Sequence, residues 1–464
     1  MKFISLMLVL WCSVIFSFSQ PGKKITYKQL KQYEGVYEYP NHLKVSFAAS
    51  PKDTALVAII NQSEYVLKNE SRDVFSTKYD TIAFLRDAHN IPAGYISRKK
   101  TYKLISKKVF FPETMWYPRL KGKDVYHYKI PGAINDGLAV GDINRTALDT
   151  ALLSEMMEKI INGTYPNVHS VLIIKDGRLV FEQYFYEYTK DSLQELRSAS
   201  KSIYSAVTGI AIDKGFIKSK NEKVLSFFPE YSLHNMSDAK KRITVENLLT
   251  QQTGLDCDIS NPKSEGDETK MDYSDDWVKF TLDLPVIDTP GGKGMYCSGN
   301  PVTLGRIVEK TTKTPLFRFA EKNLFEPLGF TNYKWHFKPD KSSAENYCQV
   351  YLTPREMAKF GLLYLNNGIW NGKQIVSSGW VDASFAKHSV IQGTDYGYLW
   401  WLKYLNAGGV KYYPKTAQGN GGQRIYVFKE QGMIVVITGG NYNTQSPADE
   451  LTARYILPGL NKKK

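Results

Sequence analysis

The sequence predicts a mixed α/β (α+β) protein, with an antiparallel sheet flanked by helices, a helical subdomain, and a small β-rich domain at the N-terminus. Two hairpin patterns, at residues 170–185 and 424–438, predict the sheet. The pattern between them is mostly helix and loop. The N-terminal part alternates apolar and polar residues in short runs, which is typical of antiparallel strands. The chain has 464 residues, so it is long enough for two domains.

The first residues predict export. The stretch MKFISLMLVLWCSVIFSFSQ has one basic residue, then an apolar run, then small residues that suit cleavage before Gln20. We therefore interpret residues 1–19 as a signal peptide and expect a periplasmic or secreted protein. The apolar run is short for a bilayer span, and no later stretch is long enough for one, so no integral membrane span is expected.

Residues 20–110 predict the small β-rich domain. LKVSF alternates apolar and polar residues, and ALVAII and TIAFL are further short strands between Asn, Asp, Ser and Pro breaks. Residues 111–134 contain Pro, Gly and charged residues without a clear period, which favours a linker. The larger domain then covers residues 135–464.

Two hairpins and two helices define the larger domain. Asp176-Gly177 separates two apolar runs, which is a strong hairpin signal, and Gln431-Gly432 stands between the second pair. An amphipathic helix is expected over 446–456. A central helix is expected over 200–214. Its apolar face is formed by Ile203, Ala206, Val207, Ile210 and Ala211.

Composition excludes several classes of function. The formal net charge is +14, but the basic residues are scattered and no nucleic-acid motif is present, which favours a solvated basic surface. Histidines and cysteines lack metal-ligand spacing, so neither a metal nor a cofactor is expected. Cys257, Cys297 and Cys348 remain after signal-peptide removal; they allow one disulfide, whose pairing stays open. Cys297 is interpreted as a small buried side chain rather than a second nucleophile.

A serine and a lysine stand where the central helix begins. Ser198 precedes Lys201 by three residues, so their side chains share one helical face. The same spacing recurs from Ser237 and from Ser384, and a capping serine with a solvated lysine explains it equally well. The spacing alone therefore does not establish a site.

Seven segments in order carry a family likeness. They are LRSASKSIYSAVTGIAIDKG, ITVENLLTQQTGLDCD, MYCSGNPVTLGRIVEKTT, LFEPLGF, MAKFGLLYLNNGIWNGKQIV, YGYLWW and AQGNGGQRIYVF. Over residues 135–440 the chain resembles the serine hydrolases related to class C β-lactamases, D-aminopeptidases and penicillin-recognising enzymes. The closest likeness is to the aminohexanoate-oligomer hydrolase and carboxylesterase branch. The resemblance implies a β-lactamase/transpeptidase-like fold, and the N-terminal domain resembles the lipocalin-like β domains that accompany such hydrolases.

The resemblance also implies a site of three motifs. Ser198 and Lys201 match Ser-x-x-Lys, and the segment from Tyr296 to Ser298 matches Tyr-x-Ser. The third motif is Lys-Thr-Gly or His-x-Gly in the family. Its match here is 417–419 followed by 420–423, although the chain has no Lys or His at the first position. A match two residues earlier, at 415–417, is the alternative.

These residue types suit nucleophilic catalysis. A serine hydroxyl needs a neighbouring base, and a lysine accepts a proton only in its neutral form, which burial favours. We expect Lys201 and Tyr296 to act as one coupled base for Ser198, with Ser298 holding their geometry by hydrogen bonds. The oxyanion of the intermediate needs fixed N–H donors, expected from Ser198 and Asn420. The substrate strand that carries the second donor comprises Gly419, Asn420, Gly421 and Gly422.

The sequence therefore predicts an exported serine hydrolase that cleaves an ester or amide of a small molecule or peptide. A β-lactamase or D,D-peptidase-like activity is the first alternative. It ranks lower because no cation begins the third motif, where a β-lactam carboxylate would bind. A non-catalytic module that binds peptidoglycan peptides is the second. The oligomeric state and the exact substrate stay open.

Overall fold

A computed structural model describes residues 25–38, 44–60, 63–77, 80–119, 126–259, 261–339 and 348–461. The predicted signal peptide and its cleavage point lie outside these residues. The chain forms two compact units, and the main division falls between Val109 and Phe110. Within the described ranges, no helix has the length and apolar character needed to cross a membrane.

The smaller unit is a closed antiparallel barrel, which confirms the expected β-rich domain at the N-terminus. Its strands are β1 (Gly35–Glu38), β2 (Lys44–Ser50), β3 (Ala55–Ile60), β4 (Ser63–Ser71), β5 (Val74–Ser76), β6 (Thr81–Arg86), β7 (Pro92–Ser97) and β8 (Lys100–Ser106). Strand β1 pairs with β8 and closes the ring. Aromatic side chains fill the inside, where Phe47 and Phe84 meet edge to face with centroids 5.0 Å apart.

The larger unit is built on a nine-stranded sheet in the order β17-β18-β19-β22-β23-β24-β10-β11-β9. The strands of this unit are β9 (Ala139–Val140), β10 (Val168–Lys175), β11 (Arg178–Tyr184), β12 (Gln194–Glu195), β13 (Tyr333–Trp335), β14 (Val350–Leu352), β15 (Ile369–Trp370), β16 (Lys373–Gln374), β17 (Ser389–Ile391), β18 (Thr394–Tyr396), β19 (Trp401–Leu402), β20 (Leu405–Ala407), β21 (Val410–Tyr412), β22 (Lys415–Gly419), β23 (Gln423–Phe428) and β24 (Met433–Gly439). Strands β12, β14 and β13 form a small sheet, and β15–β16 and β20–β21 are separate hairpins.

Both ends of the larger unit contribute to the centre of its sheet. Strand β10 pairs with β11 across the Asp176-Gly177 turn and with β24, which follows the Gln431-Gly432 turn. Leu172 faces Val436 in this register. Strand β10 is buried on both faces, because helices cover each side of the sheet.

Helix α1 (Tyr27–Leu30) belongs to the smaller unit, and the other helices divide between the two faces of the nine-stranded sheet and the helical subdomain. These other helices are α2 (Thr150–Ile161), α3 (Ser200–Asp213), α4 (Asp238–Arg242), α5 (Val245–Leu249), α6 (Glu268–Asp272), α7 (Trp277–Asp283), α8 (Gly299–Thr312), α9 (Leu316–Ala320), α10 (Pro354–Leu365), α11 (Ser378–Phe385) and α12 (Ala448–Leu451). Thr353 caps α10 with a capping box and Pro354 begins it, as the local sequence favours. Gly361 lets α10 approach the sheet, because a Cβ there would lie 2.9 Å from Ile434.

The elements expected around the candidate site agree with the structure. The central helix α3 begins at Ser200, after a 3₁₀ turn at Arg197–Ala199. The closing helix is shorter than expected. α12 passes into a π turn at Thr452–Ile456 and a 3₁₀ turn at Leu457–Asn461.

Candidate active site

Ser198 and Lys201 meet at the head of α3. Lys201 Nζ donates a hydrogen bond to Ser198 Oγ over 3.0 Å. Lys201 is only 6% exposed, and it belongs to a continuous run of buried residues in α3 from Ser200 to Ala211. A solvated surface lysine, the ordinary alternative for this spacing, does not fit this burial.

The residue before Ser198 has an unusual backbone. Arg197 adopts φ +50°, a left-handed conformation that costs a non-glycine residue of order 1 kcal/mol. Its side chain pairs with the buried Glu195, Nε to Oε1, at 3.1 Å. The guanidinium also lies 5.2 Å from the ring centroid of Tyr442. These contacts hold the turn that presents Ser198.

Tyr296 faces Lys201 from a different part of the chain. It lies in the irregular segment just before α8, and its ring centroid is 4.8 Å from Lys201 Nζ. This contact is made with the ring face rather than by a hydrogen bond to the hydroxyl. Trp401 also packs against the Tyr296 ring, with ring centroids 5.3 Å apart and the two planes tilted by 40°. Ser198, Lys201 and Tyr296 are therefore brought together.

Ser298 lies beside this group without the hydrogen bonds expected of it. It is 7% exposed, and its hydroxyl has no hydrogen-bond partner among the described residues. Ser298 already has helical φ and ψ values, so its hydroxyl does not cap α8 as an extended N-cap serine does. The hydrogen bonds expected from Ser298 to Lys201 and Tyr296 are not made in this structure, and its supporting role stays a prediction.

A disulfide crosses the Tyr296 segment. Cys297 is bonded to Cys257, with Cα atoms 5.1 Å apart, and it is fully buried, as expected of a side chain that is not a second nucleophile. Three cysteines gave no basis for this pairing, because residues 257 and 297 are distant in sequence. Cys348 is free and buried, and burial raises the pKa of its thiol, so it is not a reactive nucleophile.

The third motif ends next to the nucleophile. Strand β22 terminates at Gly419, where a Cβ would lie 2.1 Å from the Leu196 carbonyl oxygen and 3.2 Å from Ala199 N. Arg424 donates from Nη1 to the Gly419 carbonyl over 2.8 Å and fixes this end of the strand. The later alignment of the motif is therefore favoured, since Lys415 lies at the opposite end of β22.

Asn420, Gly421 and Gly422 form the turn from β22 to β23. Gly421 has φ +92° and Gly422 has φ +106°, values that favour glycine. The Asn420 side chain accepts hydrogen bonds from the N–H groups of Gly421 and Asn443, both at 2.9 Å. Asn420 is exposed, so its turn borders solvent beside the head of α3.

Sequence reasoning missed two residues that hold the site. Gln251 is 1% exposed and hydrogen-bonds the backbone of Cys297. Arg424 holds Gly419, as described above. The segment around each residue resembles the family, but no local sequence pattern reveals a long-range hydrogen bond. Among the described residues, no cluster of His, Cys, Asp or Glu is suited to hold a metal.

A serine beside a buried lysine, a tyrosine ring and a glycine-rich strand end is the arrangement of a serine acyl-transfer site. The sequence model of the family described as Beta-lactamase matches residues 152–457, more than half of the chain. The protein therefore belongs to the beta-lactamase family, which is a family of serine hydrolases.

One curated relative and two solved structures illustrate what this chain is similar to. A 6-aminohexanoate-dimer hydrolase of Paenarthrobacter ureafaciens is 28% identical over 250 residues, covering 49% of this chain and 59% of that protein. An octameric penicillin-binding protein homologue from Pyrococcus abyssi has a TM-score of 0.51 at 20% identity, over 66% of this chain and 76% of its own. EstCE1, a hydrolase with promiscuous acyltransferase activity, has a TM-score of 0.52 at 14% identity, over 66% and 98%.

These comparisons confirm the predicted β-lactamase/transpeptidase-like fold and the suspected family. The two solved structures show the fold alone at such identities. The chain spans about half the length of the curated relatives it matches.

Proposed function

We propose that this protein is an exported serine hydrolase that cleaves an ester or amide bond through an acyl-enzyme on Ser198. The observation that carries the proposal is the 3.0 Å hydrogen bond between Lys201 Nζ and Ser198 Oγ in a buried setting. Spacing alone allowed a solvated lysine, whereas a buried amine in contact with the hydroxyl is placed to take its proton.

The proposed reaction has two halves. Ser198 Oγ attacks the carbonyl carbon, and its proton passes to the amine of Lys201, with Tyr296 in the same proton path. The bond to the leaving alcohol or amine then breaks, and the leaving group takes the proton. Water attacks the resulting acyl ester, loses a proton to the same base, and returns Ser198 to its hydroxyl form.

The oxyanion of each intermediate is proposed to bind the N–H groups of Ser198 and Asn420. Two features support the second donor. Asn420 directly follows Gly419, which lies against the turn of Ser198, and Arg424 anchors the Gly419 carbonyl. Donors fixed before the reaction lower the barrier because they need no reorganisation.

An ester or linear amide substrate is favoured over a β-lactam or a peptide ending in D-alanine. Those two carry a carboxylate next to the reacting carbonyl, and the family binds it with the cation that begins the third motif. That position is Ala417 here, and its side chain is 1% exposed. Lys415, the nearest cation along the strand, is two residues away from it.

A test panel separates these activities. Purified protein should hydrolyse p-nitrophenyl esters or linear amides faster than nitrocefin or D-amino-acid amides. Ser198→Ala, which removes the proposed nucleophile, should abolish the activity. Faster nitrocefin turnover would make the protein a β-lactamase, and no turnover of any probe would favour the non-catalytic peptidoglycan-binding module.

Export is supported by the Cys257–Cys297 disulfide, because such bonds persist in oxidising compartments. We expect the mature chain from the native host to begin near Gln20, after removal of residues 1–19. Mass spectrometry of the intact mature protein reads this directly. A mature chain that still begins at Met1 would contradict export by this signal.

A further inference from the structure

Tyr296 is held differently from its two partners. Ser198 and Lys201 belong to one continuous turn and helix, so the backbone of α3 fixes their separation. Tyr296 lies in a segment with no helix or strand hydrogen-bond pattern, just before α8. Its distance to Lys201 therefore depends on whatever fixes the segment from Met295 to Cys297.

Three residues, Gln251, Cys257 and Ile259, supply the contacts that fix this segment. We call these contacts the clamp. Met295 N donates to the Gln251 carbonyl over 2.9 Å, and Ile259 N donates to the Tyr296 carbonyl over 3.0 Å. The Gln251 side chain binds both backbone groups of Cys297, accepting from its N–H at 3.0 Å and donating to its carbonyl at 3.1 Å. The disulfide from Cys257 adds a covalent bond to the same segment.

Gln251 is itself held in one orientation. Its Oε1 accepts a second hydrogen bond from Asn300 Nδ2 at 2.7 Å, so its Nε2 points to the Cys297 carbonyl. The backbone of Gln251 has φ +61°, a left-handed value that is costly for a glutamine. Its side chain is 1% exposed, so an unmade hydrogen bond here would not be replaced by solvent.

We propose that Gln251 is a positioning residue that holds Tyr296 against Lys201. The Cys257–Cys297 disulfide is the second part of the same clamp. This inference rests on the proposed function, because it assigns the clamp to the proton path of the acylation step. The enzyme should therefore need both Gln251 and the oxidised cysteines for full activity, even where the fold survives their loss.

The test is a double-mutant cycle on the full mature chain. Gln251→Met keeps the volume and removes three hydrogen bonds, and Tyr296→Phe removes the hydroxyl that the clamp positions. Gln251→Met should lower the rate at which a fluorophosphonate phosphonylates Ser198, the step that stands in for acylation in this test, about 10²-fold, the loss expected when a reacting group is displaced by about 1 Å. In the Tyr296→Phe background, Gln251→Met should lower the labelling rate by less than about threefold, because the hydroxyl that Gln251 positions is already missing.

Gln252 provides the matched control. This neighbouring glutamine also donates twice to backbone carbonyls, those of Gly291 and Gly292, at 3.0 and 2.6 Å, but it is only half-buried and these two bonds do not reach the segment from Met295 to Cys297. Gln252→Ala should acylate at nearly the wild-type rate. If Gln252→Ala slows labelling as much as Gln251→Met does, the role is a general structural one and the proposal is overturned. The same conclusion follows if Gln251→Met lowers the labelling rate by a further ~10²-fold in the Tyr296→Phe background.

The disulfide provides a second variant if Gln251→Met does not fold. Cys257→Ser with Cys297→Ser should also slow acylation when its melting curve shows a folded protein, and should be non-additive with Tyr296→Phe. If either Gln251→Met or the double cysteine variant folds and is labelled at the wild-type rate, the positioning role is overturned, while the proposed function still stands. Wild-type protein that fails to label at Ser198 would instead overturn the proposed function.

Discussion

Ser198, Lys201 and Tyr296 come from two chain segments, and this origin decides how each responds to substitution. Ser198 and Lys201 are neighbours along one helix, so the sequence spacing predicts their contact. The ring of Tyr296 reaches Lys201 only through the tertiary fold, at 4.8 Å from Nζ. One of 31 tyrosines is not singled out by local pattern, and its prediction depended on likeness to a family motif.

Lys201→Ala and Tyr296→Phe should each lower kcat by about 10² or more, the scale of a positioned acid–base group. The two losses should be strongly non-additive, because removing either member disables the shared proton path. Steady-state kinetics of the single and double variants, with an ester that the wild-type enzyme hydrolyses, measures the two losses and their non-additivity. Melting curves check that Tyr296→Phe is folded. A folded Tyr296→Phe enzyme with near-normal acylation would leave Lys201 as the sole base and Tyr296 as a core aromatic.

Gly419→Ala should disturb the substrate strand. The added Cβ would lie 2.1 Å from the Leu196 carbonyl oxygen, so the strand end or the turn of Ser198 must move. We expect a loss of roughly 1–3 kcal/mol of stability and a large fall in kcat. Gly379→Ala is the control, since a Cβ there meets nothing within 4 Å. Equal kcat values for the two variants would show that Gly419 does not contribute to the active site.

At the scale of elements, local sequence patterns predict the helices and hairpins, but they do not predict the contacts between distant parts of the chain. Both hairpins, the central helix α3 and the β-rich N-terminal part follow from periodicity and turn residues. The Cys257–Cys297 disulfide and the role of Gln251 do not, because each joins positions far apart in sequence. Gln251 is also a non-glycine in a left-handed conformation, which no residue preference indicates.

The short helix α4 contains a buried lysine, Lys240, whose effect on stability can be tested. Lys240 is fully buried, and its amine has no hydrogen-bond partner among the described residues. Burial lowers the pKa of Lys240 to about 8, with Asp283 opposing the effect. A depressed lysine pKa means that the folded state resists protonation, so wild-type stability should rise between about pH 8 and pH 10.5.

Lys240→Met should therefore raise the free energy of unfolding by roughly 1–3 kcal/mol at pH 7. The gain should be constant below pH 8 and disappear as the pH approaches 10.5. Chemical denaturation at several pH values measures it. Lys241→Met is the control, because Lys241 is exposed and paired with Asp238 at 2.9 Å. A destabilised Lys240→Met protein at pH 7 would show that Lys240 is solvated or paired.

At the scale of the whole molecule, the sheet places the site where distant segments meet. Strand β22, near the C-terminal end of the chain, brings Gly419 to the turn of Ser198. The intervening helical subdomain supplies Tyr296 at the start of α8. The family likeness predicted this assembly and the comparisons confirmed the fold. The boundaries of the N-terminal domain and the linker stay predictions.

The most direct test of the serine hydrolase assignment is labelling by a fluorophosphonate, followed by mass spectrometry of the peptides. The mature wild-type protein should gain one phosphonyl group on Ser198, and Ser198→Ala should gain none. Ser237 and Ser384, which share the Ser-x-x-Lys spacing, serve as internal controls within the same digest. A label on either of them, or an unlabelled and folded wild-type protein, would contradict the assignment.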